Sequence, residues 1–268
     1  MTIENASVVE NASFAEGASM IEGASMIENA SLTENASATE DTPPERMADF
    51  FDSRIEIYDQ HMLADMGLAW FYEEVATLIQ PSRPDFSLLD LGCGTGLELE
   101  SLFEAYPQMQ VTGIDLSSNM LASLQAKFPD RMLRLIQGSF FDVDFGSEFD
   151  FALSTYALHH FNEHEKLVLY QKTHAALKPS GTLLFGDYTV PSQELQQEFY
   201  ESSINLRARH GIGNDDIYHI DTPFTTDCET SLMKRAGFTS VRVVRQWENG
   251  SIIIAKRLLK RSSRHHRY

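Results

Sequence analysis

Leu88-Leu89-Asp90-Leu91-Gly92-Cys93-Gly94-Thr95-Gly96 runs from a segment apolar enough for a buried strand into three alternate glycines, and a helical pattern opens at about Leu97. Glycines at this spacing allow positive φ angles and let a ligand lie against bare main chain, beside the free amides of a helix start. Nineteen residues beyond Gly96, Asp115 ends the next apolar run, Val111-Thr112-Gly113-Ile114-Asp115. A carboxylate there can accept both hydroxyls of a ribose. The pair predicts a nucleoside site. A nicotinamide or flavin fingerprint would place its third glycine three residues after the second, and that position is Leu97.

Outward from this stretch, short apolar runs recur at Gln110 to Ile114, Met132 to Ile136, Phe149 to Ser154 and Thr182 to Phe185, separated by polar or helix-patterned sequence. Strand alternating with helix predicts a mostly parallel sheet covered on both faces. Two last strands, about Thr239 to Val244 and Ser251 to Ala255, are joined by Trp247, Glu248, Asn249 and Gly250, short enough for an antiparallel hairpin. Upstream, Phe50, Phe51, Ile55, Tyr58, Met62 and Met66 mark an amphipathic helix, and Leu68 to Ile79 a second one ended by Pro81 and Pro84. Gln193 to Arg209 predicts an additional helix and Gly211 to Asp221 an irregular loop, an insertion of the sort that carries specificity.

Gly92-Cys93-Gly94-Thr95-Gly96 resembles the first motif of the class I S-adenosylmethionine-dependent methyltransferases, and the resemblance continues in order. Asp115-Leu116-Ser117-Ser118-Asn119-Met120-Leu121 is similar to the second motif and Gln137-Gly138-Ser139-Phe140 to the adenine-contacting segment. Phe149 to Ser154 with Ala157-Leu158-His159-His160-Phe161 resembles the fourth, and Leu177-Lys178-Pro179-Ser180-Gly181-Thr182-Leu183 the turn into strand five. The match spans roughly residues 46 to 256. It implies a Rossmann-like, seven-stranded, mostly parallel α/β sheet with S-adenosyl-L-methionine as cofactor. Gly92, Gly94 and Gly96 would form the cofactor loop, Asp90 would lie near the methionine amino group and Asp115 would hold the ribose. Leu116 and Phe140 would pack on the adenine; Ser139 stands where the family commonly has an acid. The N-terminal helix would be a lid, with Tyr58, Arg54 and His61 as its contacts.

Methyl transfer is an in-line displacement at an activated sulfonium methyl, so the protein has to position a nucleophile and, where needed, remove its proton; no metal is required. The carboxyl ends of strands four and five would carry Ser154, Thr155, Tyr156, His159, His160, Asp187 and Tyr188, where ligands bind in open α/β sheets. Ser154 is assigned to the cofactor; His159, His160, Tyr58 and Asp187 are the catalytic candidates. Histidine titrates near neutral pH, which suits a general base, while the plainer alternative is that one histidine hydrogen-bonds the loop and the other faces solvent. Asp187 either orients substrate or caps its loop. Tyr218-His219-Ile220-Asp221-Thr222-Pro223 either lines a pocket or is a turn. Cys93 is read as a packing residue of the glycine loop, and Cys228, at a helix start, as a thiol open to a lowered pKa.

The chain has 268 residues, with 21 Lys and Arg against 39 Asp and Glu, a formal charge of −18, which disfavours broad binding to nucleic acid or anionic lipid. Charge is divided by segment. Residues 1–44 carry Glu-(Asn/Gly)-Ala-Ser at Glu4, Glu10, Glu16, Glu22, Glu28 and Glu34, a period of six. Two β-helical coils of this composition would bury little, so the expectation is a disordered acidic tail. Residues 45–256 form the catalytic domain, and 257–268 a basic tail. Two cysteines, no long apolar span and no basic N-terminal signal lead us to expect a cytoplasmic protein without membrane contact. A lid and an insertion roofing an acidic domain predict methyl transfer to a small-molecule acceptor. The alternatives are methylation of nucleic acid or protein, for which the basic tail speaks, and a non-catalytic S-adenosylmethionine-binding protein.

Overall fold

The computed structural model describes residues 42–213 and 216–258; the hexad repeat up to residue 41 and the basic run from residue 259 lie outside them. The sheet strands in chain order are β1 (Ser87–Leu91), β2 (Gln110–Asp115), β3 (Met132–Gln137), β4 (Phe149–Thr155), β5 (Leu177–Asp187), β8 (Ser240–Trp247) and β9 (Gly250–Lys256). Two short strands, β6 (Thr189–Val190) and β7 (Phe224–Thr225), pair separately and in parallel. The sheet order is β3-β2-β1-β4-β5-β9-β8, with β1 to β5 parallel and β9 antiparallel to both neighbours. Chain direction across the sheet therefore reverses between β1 and β4, and a crevice opens there at the strands' carboxyl ends.

The helices are α1 (Met47–Gln60), α2 (Ala69–Leu78), α3 (Leu99–Ala105), α4 (Ser118–Lys127), α5 (Glu163–Ala176), α6 (Gln193–His210) and α7 (Thr226–Arg235), with one π-helical turn, His61–Asp65, extending α1. The inner parallel strands β2, β1, β4 and β5 are covered on both faces over most of their length, while the edge strand β3 is partly exposed. Leu88 packs with α2 and α3 through Phe71, Val75, Leu99 and Leu102, whereas Leu89 and Leu91 point to the other layer, with Leu169, Tyr170, Leu232 and Met233 of α5 and α7. Ile252 and Ile254 repeat this alternation against Ile253 and Ala255. Period-two alternation with both faces covered is what produces continuous apolar runs in sequence. A fully covered residue such as Phe71 is worth about 1.5–3 kcal/mol of burial.

Local chemistry sets the element ends. Ser117 caps α4 by accepting from Met120 N at 3.0 Å, Asn162 and Glu165 close a reciprocal capping box on α5, and α6 stops at Gly211 in the left-handed region, φ 65°. Helix α3 starts at Leu99, two residues later than the sequence pattern predicts, because Gly96 and the two residues after it still belong to the turn. Strand β5 is longer than its apolar run. It takes in Leu177 to Gly181 through a register irregularity against β4.

The insertion returns over the carboxyl edge of the sheet. β6 and β7 bracket it, Thr222 N donates to His159 O at 2.7 Å, and residues 216–219 meet the start of α1 through Met47 N to Ile217 O (3.1 Å) and His219 N to Glu45 O (3.0 Å). Lid and insertion thus form one roof.

Candidate functional site

Under that roof are two adjoining cavities. The smaller, about 60 Å³, lies on the glycine loop and is lined by Gly92, Gly94, Asp115, Leu116, Phe140, Thr155 and Tyr156 from the sheet edge, with Met47, Phe51 and Tyr58 from α1. The larger, about 170 Å³, is walled by Phe50, Phe51, Ile57, Met62, Met66 and Tyr188, with His159, His160, His219 and Asp221 at one end. Phe51, Tyr58, Tyr156 and His160 face both. A ligand lying on the loop therefore has its inner end at the mouth of the aromatic chamber.

The loop is built for close approach. Gly92 has φ 76°, and a β-carbon there would stand 2.4 Å from Ala157 Cβ, so only glycine permits the turn. Asp115 Oδ2 accepts from Gly94 N and Oδ1 from Ser117 N, both at 2.9 Å, which ties the loop to the start of α4 and leaves each oxygen a further lone pair. Burial raises its carboxyl pKa against the pull of those amides. Gly96 does not reach the cavity; it seats the turn on Leu124 and Phe128.

Beneath the loop, Asp90 is fully buried and Glu98 nearly so. Neither Asp90 oxygen nor Glu98 Oε1 has a well-placed hydrogen-bond donor, while Thr155 Oγ1 donates to Glu98 Oε2 at 3.3 Å. Burial and the neighbouring Glu98 hold Asp90 well above the usual carboxylate range, and burial pushes Glu98 up to about 7. The pair keeps a proton near neutrality. A carboxyl that binds its proton more tightly folded than unfolded costs stability as pH rises from 4.5, its ordinary value, through 7. Glu98→Gln is therefore expected to melt higher than the parent protein at pH 8, by about 2–4 °C for each kcal/mol relieved, with the difference vanishing by pH 4; calorimetric scans at the two pH values check it.

At the chamber's polar end, His159 Nδ1 lies 2.6 Å from Asp187 Oδ1. Asp187 is fully buried and is held by Leu158 N and Tyr188 N, both at 2.8 Å. The dyad fixes the imidazole so that Nε2 faces the chamber, 3.7 Å from Asp221 Oδ1. Burial works against a charged His159, yet the Asp187 carboxylate beside it wins and raises its pKa. His160 is lowered by burial and by His159; His219, stacked on Phe50 at 3.6 Å, is lowered by burial to about 3. Tyr156 holds φ 47°, a left-handed backbone that costs a non-glycine residue energy and places its ring at the junction of the cavities.

The lid is latched at several points. Asp52 accepts from Ser117 Oγ and from Asn119 N (3.2 Å), and Asp59 from Thr95 Oγ1 (2.5 Å) and Lys127 Nζ (2.8 Å). Arg54 spans Glu45 at 2.9 Å and lies over the Phe50 ring; His61 pairs with Asp65 at 3.3 Å.

A family model described as a methyltransferase domain matches residues 88–181, the segment from β1 into β5. A carboxy-S-adenosyl-L-methionine synthase of Helicobacter pylori is 25% identical over 226 residues, 80% of this chain and 93% of that protein. A malonyl-[acyl-carrier protein] O-methyltransferase of Priestia megaterium is 29% identical over 104 residues, 39% of this chain and 37% of its own. Human N-acetylserotonin methyltransferase, solved with S-adenosylmethionine, aligns with TM-score 0.57 at 17% identity, over 78% of this chain and 57% of that one. A Nostoc punctiforme protein assigned as an O-methyltransferase aligns with TM-score 0.60 at 18% identity, over 87% and 68%. The matched domain, the relatives and the shared fold support a class I S-adenosylmethionine-dependent methyltransferase. S-adenosylmethionine is the cofactor of the family so supported.

Gly92, Gly94, Asp115, Leu116 and Phe140 border the cavity on the glycine loop and His159, His160 and Tyr58 the chamber, with Asp187 behind His159. Ser154 and Ser139 stand apart from the cavities. Ser154 is fully buried and donates to Leu91 O at 3.1 Å, pinning β4 to β1, because its side chain falls on the covered face while that of the next residue, Thr155, reaches the ligand edge. Ser139 Oγ accepts from Phe141 N at 3.2 Å, capping its own turn. Cys228 departs from the expected lowered pKa, since burial pushes its thiol up. Cys93 is buried against Gly113, a packing residue. Glu98, Phe50, Met47 and Asn249 went unforeseen. They reach the site through helix phase and the roof, which no local motif announces. Among the described residues no helix is long and apolar enough to cross a membrane.

Proposed function

We propose that the enzyme transfers the methyl group of S-adenosylmethionine to a small, largely apolar acceptor that lies in the aromatic chamber. The observation that carries this reading is the shared wall of Phe51, Tyr58, Tyr156 and His160, which sets the inner end of the cofactor cavity at the chamber's mouth. An in-line displacement needs the nucleophile on the far side of the methyl from sulfur, and an acceptor in the chamber meets that requirement. Asp115 takes the ribose, Leu116 and Phe140 the adenine, and the Asp90–Glu98 pair, with its unsatisfied oxygens, the methionine ammonium. His159 is the general base: Asp187 holds its Nδ1 proton, leaving the Nε2 lone pair toward the acceptor. His160 and Tyr58 position the reacting groups.

A cavity of about 60 Å³ is far below the volume that encloses a nucleoside-sized ligand, so α1 swings outward to admit the cofactor, breaking the Asp52 and Asp59 latches. A roof of this kind also keeps water and large substrates from the reacting methyl. The proposed setting is the cytoplasm.

The test is a panel of small hydroxyl, amine, thiol and carboxyl compounds, with RNA and protein fractions alongside, scored by S-adenosylhomocysteine release and by the mass of both products. Methylation confined to compact apolar acceptors supports the reading. Methylated RNA or protein, or a carboxylated cofactor such as the Helicobacter pylori relative's name describes, contradicts it. Tight cofactor binding with no product from any of them would favour a non-catalytic cofactor-binding protein.

A further inference from the structure

Three donor atoms at the chamber's polar end, His159 Nε2, His160 Nδ1 and Asp221 Oδ1, all lie within 4.8 Å of one another. His160 Nδ1 is 3.1 Å and His159 Nε2 3.7 Å from Asp221 Oδ1. Ligands at about 2.0–2.2 Å from a tetrahedral zinc ion stand roughly 3.4 Å apart, so both distances bracket the required edge, and a small imidazole rotation closes the third.

Electrostatics give the cluster a reason to take a cation. Asp187 accepts the Nδ1 proton of His159, so the nitrogen turned toward Asp221 in a neutral ring is the one with the lone pair. That lone pair and the Asp221 carboxylate oxygen face one gap, two donors that a single cation can share.

The supporting shell matches a metal centre as well. A ligating histidine commonly gives its other N–H to a carboxylate, as His159 gives Nδ1–H to Asp187, which is itself fixed by two backbone amides. Thr222, donating to His159 O through both N (2.7 Å) and Oγ1 (3.2 Å), locks the Asp221 loop beside the histidine pair. The fourth side of the cluster opens on the chamber.

We propose that His159, His160 and Asp221 form a binding site for a divalent zinc-class ion whose open coordination position faces the acceptor. Two imidazoles and one carboxylate are ligands that zinc accepts, and three protein ligands with one open place are the arrangement of a zinc site that meets substrate. Occupied, the site takes the His159 Nε2 lone pair, so acidification of a hydroxyl or thiol coordinated there replaces direct proton abstraction by that nitrogen; the acceptor's proton leaves to solvent and no electrons change hands. This role rests on the reading that the acceptor enters the chamber. The binding of the ion does not.

The test uses full-length, untagged protein stripped by a chelator and titrated with Zn²⁺ and, as a spectroscopic stand-in, Co²⁺, without acceptor. The expected result is one ion per chain by elemental analysis after desalting, and visible Co²⁺ bands of low-symmetry coordination. Asp221→Asn, nearly the same shape without the charge, should lower affinity at least tenfold and weaken the bands, while S-adenosylhomocysteine binding stays intact and reports that the variant is folded. Substoichiometric metal, or binding unchanged in Asp221→Asn and therefore attributable to sites such as His265 and His266, overturns the site. Either result leaves the methyl-transfer reading standing on its own acceptor screen.

Discussion

In the chelator-stripped enzyme, replacing His159 by alanine is expected to lower kcat by about 10²–10⁴, the range a positioned general base supplies, with S-adenosylmethionine affinity changed less than threefold. The split follows from placement. His159 borders the chamber and not the cavity on the glycine loop, so truncation removes proton transfer while the cofactor's contacts survive. Protonated His159 cannot act as a base, and Asp187 raises the pKa, so the rate of the parent enzyme should climb with pH through a midpoint above the ordinary 6.5. The alanine variant should lose that limb, and Asp187→Asn should move its midpoint down, because the charge that favours imidazolium is gone. Single-turnover rates from pH 5.5 to 9 decide between this and a passive role: a limb that persists in the alanine variant would remove His159 from the chemistry.

Asp115→Ala is the second change of large expected effect, and it reads out on binding. Its carboxylate lines the cavity on the glycine loop, the proposed seat of the ribose, and holds Gly94 N and Ser117 N in place. Hydrogen bonds to a charged group are worth about 1.5–3 kcal/mol, a loss of about 10- to 150-fold in affinity, and release of the Gly94 amide pushes toward the upper end. Calorimetric titration with S-adenosylhomocysteine measures it directly; affinity within twofold of the parent protein would withdraw Asp115 from the site.

Asp115 and the alternate glycines were legible in the sequence because strand, tight turn and carboxylate follow one another locally, each residue needing only its neighbours to take up its place. The sheet was legible for the same reason: runs such as Leu88 to Leu91 are apolar at consecutive positions because both faces are covered. Other features depend on partners far along the chain. The side of β4 on which Ser154 falls is a matter of strand phase, and one residue's shift hands the ligand edge to Thr155. Glu98 has no local motif around it, and is buried because the turn after Gly96 delays α3 and folds it beneath the loop beside Asp90. Asp221 has an ambiguous local context, a polar turn. It reaches His159 and His160 because the insertion is carried back over the sheet by the β6–β7 pair and tied to α1 at Glu45 and Met47.

This roof also explains why the methyltransferase reading and the small-acceptor reading stand on different footings. The first rests on the glycine loop and the strand order; the second on the roof that α1 and the insertion make over the chamber. In the proposed cycle both meet at lid opening, where the cofactor enters by the same movement that exposes the chamber.

The measurement that bears most directly on this account is a crystal structure of the full-length enzyme with S-adenosylhomocysteine. The account predicts ribose hydroxyls on Asp115, the amino group above Asp90 and Glu98, and the sulfur at the junction of Tyr58, Tyr156 and His160 with its open face toward the aromatic chamber. A sulfur turned away from that chamber, or a ribose seated elsewhere than on Asp115, would contradict it.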